Sequence, residues 1–482
     1  MKPLKDLLLN LEISQLIGSD EVEIAALAFD SRRVEAKTAF IAQKGLKADG
    51  HNYIETAIEK GATVIVCEDL PEEILPQITY IQCPDTAKAL GIMASNFYNQ
   101  PSRKLKLIGI TGTNGKTTTA TLLYQLFENL GHSSGLISTI KNYIGKEALE
   151  SSHTTPNALE LNQLLNVMVE KGCEYCFMEV SSHGISQERI AGLTFAGGVF
   201  TNLTHDHLDF HKTFEAYRDV KKSFFDRLPK NAFALSNIDD KNGLVMLQNT
   251  KAAIYTYSLQ RGADFKAKIL ENSIEGLNME LNGYPVWLRL CGRFNAYNLL
   301  AIYAVAVLLK QNEEEVLRIL SALSPVEGRF QYYMNDRGSI GIVDYAHTPD
   351  ALENVLKTLT DIVREDTEII TVVGCGGDRD VSKRPLMAKI ACRYSDKVIL
   401  TSDNPRSENP YSILEAMKQG VTPENDRKVL TIENRREAIK TACSLLKPGS
   451  ALLVAGKGHE TYQEIEGVRS HFDDKEEIIK YL

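Results

Sequence analysis

The stretch Ile108-Gly-Ile-Thr-Gly-Thr-Asn-Gly-Lys-Thr-Thr118 constrains the fold more than any other part of the chain. An apolar run, Leu105–Thr111, leads into it. Leu122, Leu123, Leu126, Phe127 and Leu130 follow at helical spacing, with Gly131 as the stop. A buried strand that feeds a glycine turn and then a helix belongs to α/β architecture. Gly112 and Gly115 let the backbone curl so that successive N–H groups point inward at phosphate oxygens. Lys116 adds a point charge for the β- and γ-phosphates, and the Thr117 hydroxyl can ligate magnesium. Ile110 stands where the longer pattern G-x-x-x-x-G-K-[ST] has glycine, so the signal is the shorter variant T-G-T-N-G-K-T. The expectation is ATP binding by Gly112, Thr113, Asn114, Gly115, Lys116, Thr117 and Thr118.

The same rhythm continues on both sides. Tyr175–Val180, Val199–Asn202 and Phe233–Leu235 read as strands, Phe214–Leu228 and Asn295–Leu309 as helices. Beyond Ser324-Pro-Val-Glu-Gly328 it restarts with strand Ile340–Asp344, helix Asp350–Val363 and strands Glu368–Val373, Lys397–Thr401 and Ala451–Val454. Alternating strands and helices predict parallel sheets with ligands at the carboxyl ends of strands. Before residue 104, short runs such as Ala62–Cys67 and Tyr80–Gln82 alternate with polar turns. Asn99-Gln-Pro-Ser-Arg103 reads as a linker, because proline restricts itself and its predecessor. A chain of 482 residues, at roughly 150 per domain, suggests about three domains. The breaks put them at 1–104, 105–327 and 328–482.

Composition excludes several classes. With 43% hydrophobic and 24% charged residues the chain is neither disordered, collagen-like nor coiled-coil. Its net charge of −9 is the wrong sign for a general nucleic-acid binder. Residues 1–18 break their leucines with Lys5, Asp6, Asn10 and Glu12, unlike a signal peptide. The longest apolar run, Leu299–Leu309, falls short of the ~20 residues a membrane span needs. The eight cysteines show no framework spacing, which fits reduced thiols. The pair Cys173-x-x-Cys176 reads as strand packing in preference to a redox couple. A cytoplasmic monomer is expected, with no nucleic-acid partner and no membrane span.

Two further clusters leave alternatives open. His205, Asp206, His207, Asp209 and His211 follow the strand Val199–Asn202. H-x-H spacing can serve zinc, although no third ligand is set by spacing, and magnesium is the competing reading. Val373-Gly-Cys-Gly-Gly-Asp-Arg379 looks like a dinucleotide loop, but Arg379 stands where a Rossmann fingerprint wants glycine. An NAD-dependent oxidoreductase and an ATP-driven switch are therefore the rival classes.

Motifs in order along almost the whole chain resemble the Mur ligases, the amino-acid-adding enzymes of peptidoglycan synthesis. They are Thr111–Thr117, Met178-Glu-Val-Ser-Ser-His-Gly184, Thr201-Asn-Leu-Thr-His-Asp-His-Leu-Asp209, Gly292-Arg-Phe-Asn295, Asp344-Tyr-Ala-His-Thr-Pro349, Gly374–Asp380, Asp403-Asn-Pro-Arg406 and Ala455-Gly-Lys-Gly-His-Glu460. The resemblance implies an α/β fold of three domains, with a central P-loop ATPase-like parallel sheet and a C-terminal Rossmann-like domain. It implies an ADP-forming ligase that phosphorylates a carboxylate with ATP and lets an amine attack the acyl phosphate. The implied substrates are UDP-N-acetylmuramoyl-L-alanyl-D-glutamate and meso-diaminopimelate, with L-lysine as the alternative amino acid.

The resemblance also assigns residues. Glu179 and His207 join Thr117 as magnesium ligands, and Lys221 is carried over as a lysine that reacts with CO2 to give a metal-binding carbamate. Lys116, Lys221, Glu179 and His207 form the catalytic set. Asn295, Arg329 and Asp344 complete the ATP site, implying closure of the last domain over the nucleotide. Phe29, Ser31, Leu46, Lys47 and Ala48 match the nucleotide-sugar contacts, although other members often have polar residues at Leu46-Lys47. His153, Thr154, Thr155, Ser181, Gln187 and Arg189 match positions that hold the muramoyl-peptide; many relatives have Asn at His153. Arg189 makes chemical sense because an Arg fork grips carboxylates bidentately. Arg379, Asp403, Asn404, Pro405, Arg406, Gly456 and Glu460 match the amino-acid pocket. Arg406 would meet the extra carboxylate that distinguishes diaminopimelate from lysine, and Glu460 the distal ammonium. Here Glu408-Asn-Pro410 replaces the family's usual E-D-P or E-E-P.

Overall fold

The computed structural model describes residues 1–45 and 48–482. Leu46 and Lys47, both expected at the nucleotide-sugar site, lie outside the described residues.

An eleven-stranded sheet forms the middle of the chain. Its parallel block runs, across the sheet, Ser134–Ile137, Tyr175–Glu179, Lys106–Thr111, Gly197–Phe200, Phe233–Asn237, Ala253–Ser258 and Phe265–Ser273. Antiparallel strands close both edges: Lys141–Ile144 and Glu147–Glu150 on one side, Gly276–Leu281 and Tyr284–Leu288 on the other. Lys106–Thr111 alternates its side chains between two cores. Ile108 and Ile110 pack under the helices Lys116–Asn129 and Arg293–Leu308. Leu107 packs with Leu161, Leu165, Phe224 and Phe225 from the helices Ala158–Glu170 and Phe214–Asp226. Each such fully buried side chain contributes roughly 1.5–3 kcal/mol, so this strand is held firmly from both faces.

Strand Gly197–Phe200 starts earlier and ends earlier than the expected Val199–Asn202. Its two glycines are strand residues because a Cβ at Gly197 would lie 2.2 Å from the Phe233 ring, and one at Gly198 2.9 Å from Phe224. Asn202 is thereby released to bond outside the ladder.

The last region holds a six-stranded sheet. Ile340–Asp344, Ala451–Ala455, Ile369–Val373, Lys397–Leu400 and Val429–Thr431 are parallel, and Gln331–Met334 is antiparallel at the edge. The first region is a five-stranded sheet. Ala26–Ala28, Thr38–Ile41, Ala62–Cys67 and Thr79–Gln82 are parallel, with Gln15–Ile17 antiparallel. Residues 99–103 are not an open linker. Asn99 and Gln100 take left-handed backbone conformations, and Pro101–Arg103 forms a 3-10 turn with Pro101 and Ser102 buried. The Ser102 hydroxyl accepts from the Thr194 N–H at 3.0 Å, tying the connection to the central body. No helix among the described residues is long and apolar enough to cross a membrane.

Candidate active site

The strand order reverses direction at Lys106–Thr111, whose neighbours Tyr175–Glu179 and Gly197–Phe200 come later in the chain on opposite sides. Such a switch point leaves a crevice at the carboxyl ends of the strands. The glycine loop opens there. Gly112 and Gly115 have φ of 151° and 87°, and added Cβ atoms would lie 1.9 Å from Thr201 Oγ1 and 2.5 Å from Asn298 Oδ1. The loop is clamped from the next strand. Thr113 N–H donates to Asn202 O at 2.8 Å and Asn114 N–H to Asn202 Oδ1 at 2.9 Å. Thr201 Oγ1 and Asn202 Nδ2 donate back to Asn114 O at 2.6 and 3.0 Å. Lys116 curls over the loop, donating to Gly112 O at 3.0 Å and Thr113 O at 2.8 Å, and burial pushes its pKa down.

Thr117, on the first turn of the helix, donates to Glu179 Oε2 at 3.0 Å. Glu179 is fully buried and also accepts from the Thr139 N–H at 2.7 Å. Arg329 reaches in from the last region, donating to Thr117 Oγ1 at 3.1 Å while its guanidinium carbon lies 4.6 Å from the centre of the Tyr345 ring. Asp344 accepts from the Phe330 N–H at 2.6 Å, and burial raises its carboxyl to about 6. Asn114 Nδ2 donates to Asp350 Oδ2 at 2.8 Å, a second bond from the loop to the last region. Asn295 makes no side-chain hydrogen bond to the loop. Its side chain bonds Cys291 O at 2.9 Å and accepts from Asn298 at 3.1 Å, so Asn298 is the residue that faces Gly115.

The adjacent lysines on the helix Phe214–Asp226 point to different places, as the turn of roughly 100° per residue requires. Lys222 pairs with Asp226 at 2.8 Å. Lys221 is buried and donates to Gly112 O at 2.8 Å, with its ammonium 4.8 Å from the Tyr217 ring centre. Burial, and then the nearby Lys116, push the Lys221 pKa well below its ordinary value. Tyr217 OH lies 3.1 Å from Thr113 Oγ1, so this helix is registered on the loop itself.

His207 takes a left-handed backbone, pairs with Asp206 at 3.4 Å and stacks edge-on to His183 at 5.0 Å. Its ring makes no hydrogen bond to Thr117 or Glu179. Among the described residues, no group of three or more His, Cys, Asp and Glu side chains is arranged to hold a metal ion. That arrangement gives the zinc reading no protein-only ligand sphere. Oxygen donors paired at 3.0 Å beside a phosphate loop suit a hard cation that keeps water and phosphate ligands.

A second group continues from Glu179. Thr155 Oγ1 donates to Glu179 O at 2.8 Å and accepts from the Ser181 N–H at 3.0 Å. Ser181 caps the helix Ser182–Ser186 through the Gly184 N–H. Arg189 donates to Thr155 O at 2.6 Å and to Gln187 Oε1 at 3.1 and 2.7 Å. Thr154 Oγ1 lies 3.0 Å from Thr139 Oγ1. His153 is exposed and bonds only its neighbours, its ring to Ser152 and its carbonyl oxygen accepting from the Ser151 hydroxyl at 3.3 Å. Phe29, Ser31 and Ala48 belong to the first region and make no hydrogen bond to this group. Phe29 packs on that region's core, Ser31 opens a 3-10 turn capped by Asp30, and exposed Ala48 accepts from the Gly45 N–H.

The last sheet gathers a third group at its strand ends. Asp403 and Asn404 follow the strand Lys397–Leu400, and Gly456 follows Ala451–Ala455. A Cβ on Gly456 would lie 2.5 Å from Asp403 Oδ2. Asn404 Nδ2 donates to Glu460 Oε2 at 2.7 Å, and burial with nearby Asp403 raises the Glu460 pKa. Arg406 has φ of 53° and donates to Gly377 O at 2.7 Å. Glycines 376 and 377 serve this close approach: Cβ atoms there would lie 2.8 Å from Arg406 Nη1 and 1.9 Å from Pro405 O. Helix Lys383–Tyr394 begins well after the glycines, so the run is not a dinucleotide loop. Arg379 is exposed on the same loop. Asn409 caps the helix Pro410–Lys418 by accepting from the Tyr411 and Ser412 N–H groups. Glu408 pairs with buried Arg384 at 2.8 Å and accepts from the Asp378 N–H, locking the two loops together. Asn202, Asn298, Asp350, Lys457 and Arg384 were not singled out from the sequence. Asn202 and Lys457 lie inside quoted motifs, while the others carried no local signal.

The chain matches three family descriptions: "Mur ligase family, catalytic domain" over residues 23–98, "Mur ligase middle domain" over 110–306, and "Mur ligase, glutamate ligase domain" over 328–458. It is 56% identical over 480 residues to the UDP-N-acetylmuramoyl-L-alanyl-D-glutamate–2,6-diaminopimelate ligase of Cytophaga hutchinsonii, covering 99% of this chain and 98% of that one. It is 54% identical to the protein of the same name from Bacteroides fragilis, covering 99% of both. A solved structure bearing that name superposes with a TM-score of 0.70 at 33% identity, covering 100% of this chain and 98% of the other. The MurF ligase of Thermotoga maritima, solved with ADP, shares the fold at a TM-score of 0.63 and 19% identity, covering 95% of this chain and 96% of the other. The chain belongs to the Mur ligase family.

Proposed function

We propose that this chain is an ADP-forming ligase that joins meso-diaminopimelate to UDP-N-acetylmuramoyl-L-alanyl-D-glutamate in the cytoplasm, as a monomer. The observation that carries the substrate assignment is full-length identity of 53–56% to relatives of that name. The three regions divide the work: 1–104 capture the nucleotide sugar through Phe29, Ser31 and Leu46–Ala48, 105–327 do the ATP chemistry, and 328–482 select the amino acid.

In the first step a substrate carboxylate oxygen bonds to the γ-phosphorus of ATP, and the bond to the β-bridging oxygen breaks to release ADP. Both reactants are anions, so fixed donors and cations must bring them together. Lys116 and the loop N–H groups hold the phosphates, and Arg329 closes on them from the last region. Arg189, oriented by Gln187 and Thr155, grips the carboxylates of the dipeptide, with His153, Thr154 and Ser181 lining its path. In the second step the amine attacks the acyl carbon and phosphate leaves. Closure by Arg329, Asp344 and Asp350 keeps water from the acyl phosphate.

Thr117, Glu179 and His207 would hold magnesium, with Lys221 contributing once its neutral amine has bonded to the carbon of CO2 and lost a proton. Bound there, the ion would neutralise charge on the phosphates. Buried Lys221 beside the loop, with its ammonium disfavoured, supports that modification.

In the last region, Arg406 meets the distal carboxylate, Glu460 with Asp403 and Gly456 the ammonium, and Arg379, Asn404 and Pro405 shape the rim. The test is ADP release with the UDP-muramoyl-dipeptide, comparing meso-diaminopimelate with L-lysine. Dependence on meso-diaminopimelate is expected. Equal or better use of lysine would overturn the assignment.

A further inference from the structure

We propose that Lys457 is a positioning residue of the amino-acid pocket, orienting Glu460 and Asn404 and supplying the internal counter-charge that lets Glu460 hold an ammonium group. The inference rests on reading that pocket as the diaminopimelate site.

Lys457 follows Gly456 at the carboxyl end of the strand Ala451–Ala455, and its side chain is 0% exposed. A lysine buried that completely needs partners for its charge. Its ammonium lies 3.1 Å from Asn404 Oδ1 and 3.1 Å from Glu460 Oε2, and 5.4 Å from the centre of the Tyr462 ring. Asn404 is thereby locked: Oδ1 accepts from Lys457 and from the Glu464 N–H at 2.9 Å, and Nδ2 donates to Glu460 Oε2 at 2.7 Å. Both bonds to Glu460 fall on Oε2, which orients the carboxylate and leaves Oε1 as the oxygen neither donor engages.

The charge balance makes the lysine necessary. Asp403 and Glu460 share one buried corner, and burial and Asp403 both disfavour the ionised form of Glu460. Lys457 opposes them. Tyr345 and Tyr462 also face this corner and stay neutral, their hydroxyl pKa values raised by burial. Arg435 is committed to Asp474 at 2.7 Å, and Arg469 lies at the exposed hairpin, bonded to Glu464 at 3.0 Å. His459, pushed down to about 3 by burial, carries no charge near neutrality. Lys457 is therefore the cation that bonds Glu460. Without it the carboxyl takes up a proton and loses its attraction for an ammonium.

The experiment compares wild-type protein with Lys457→Met by ADP release with ATP, UDP-muramoyl-dipeptide and meso-diaminopimelate across a pH series. The KM for diaminopimelate is expected to rise about tenfold near neutral pH, with kcat and the KM for ATP within about twofold. That defect should shrink as the pH is raised, as Glu460 ionises without its partner. In a Glu460→Gln background the same substitution should add little, since the lysine acts through the carboxylate. A KM unchanged by Lys457→Met, or raised by a pH-independent factor that adds fully to Glu460→Gln, overturns the inference. Should methionine not be accommodated, judged by loss of the thermal transition, Lys457→Gln carries the same comparison, because it keeps a donor without the charge. Wild-type protein that releases no ADP on adding diaminopimelate would overturn the functional reading and this inference with it. Wild-type turnover with an unmoved variant overturns the inference alone.

Discussion

The Thr117 hydroxyl and the Glu179 carboxylate lie 3.0 Å apart although 62 residues separate them in the chain. They meet because the strand Lys106–Thr111 and the strand Tyr175–Glu179 run parallel and adjacent, pairing Ile110 with Glu179. The loop that leaves the first strand therefore opens over the end of the second, and Arg329 closes on the pair from the last region.

Glu179→Gln keeps the size of this buried side chain and removes its charge. Turnover should fall about 10²–10³-fold, the range for losing one preorganised electrostatic group. ADP release checks this, with thermal melting unchanged as the control for folding.

Arg329→Lys keeps a positive charge but loses the planar fork that bonds Thr117 while lying over Tyr345. The KM for ATP should rise by about tenfold, since one charge-assisted bond is worth about 1.5–3 kcal/mol. A nucleotide titration measures it directly.

Arg406→Ala should raise the KM for meso-diaminopimelate by about 10–100-fold, the equivalent of about 1.5–3 kcal/mol for a lost charged hydrogen bond. The residual rate with L-lysine should not fall, because lysine offers no distal carboxylate. Competition between the two amino acids in one assay reads the ratio.

Asp344 gives a pH signature. Burial raises its carboxyl from 3.8 to about 6 in the folded chain, so between those values the folded state binds more protons than the unfolded one. Its contribution to stability is present below the unfolded value and is lost as pH rises through about 6. Relative to Asp344→Asn, the wild-type melting temperature should therefore climb as the buffer is taken from neutral toward acid. Parallel melting curves across that range would refute this account.

Arg435 and Asp474 form an ion pair at 2.7 Å with both side chains 0% exposed. Arg435 also donates to Ala455 O at 3.0 Å, next to Gly456. Asp474→Asn leaves a buried guanidinium without its counter-charge and should cost about 3–5 kcal/mol. Chemical denaturation gives the value.

Local pattern carried much of the architecture. Ala62–Cys67 and Ile340–Asp344 form strands with the expected bounds, because each is a short, mostly apolar run that is buried along nearly its whole length. The edge hairpins and the short strands Ala26–Ala28 and Thr38–Ile41 had no comparable signal. Their residues gain order from the neighbouring strands they pair with. Gly197 and Gly198 look like breakers in one dimension and become strand residues once Phe233 and Phe224 fill the space above them.

The sequence by itself determined the phosphate loop and the motif order, because those depend on contiguous chemistry. Only the tertiary structure decided which residues act together. It brought Asn298 against Gly115, turned Lys221 onto the loop and Lys222 toward Asp226, and set Lys457 between Asn404 and Glu460. These outcomes depend on strand order, helix rotation and burial, which arise from contacts between residues far apart in the chain.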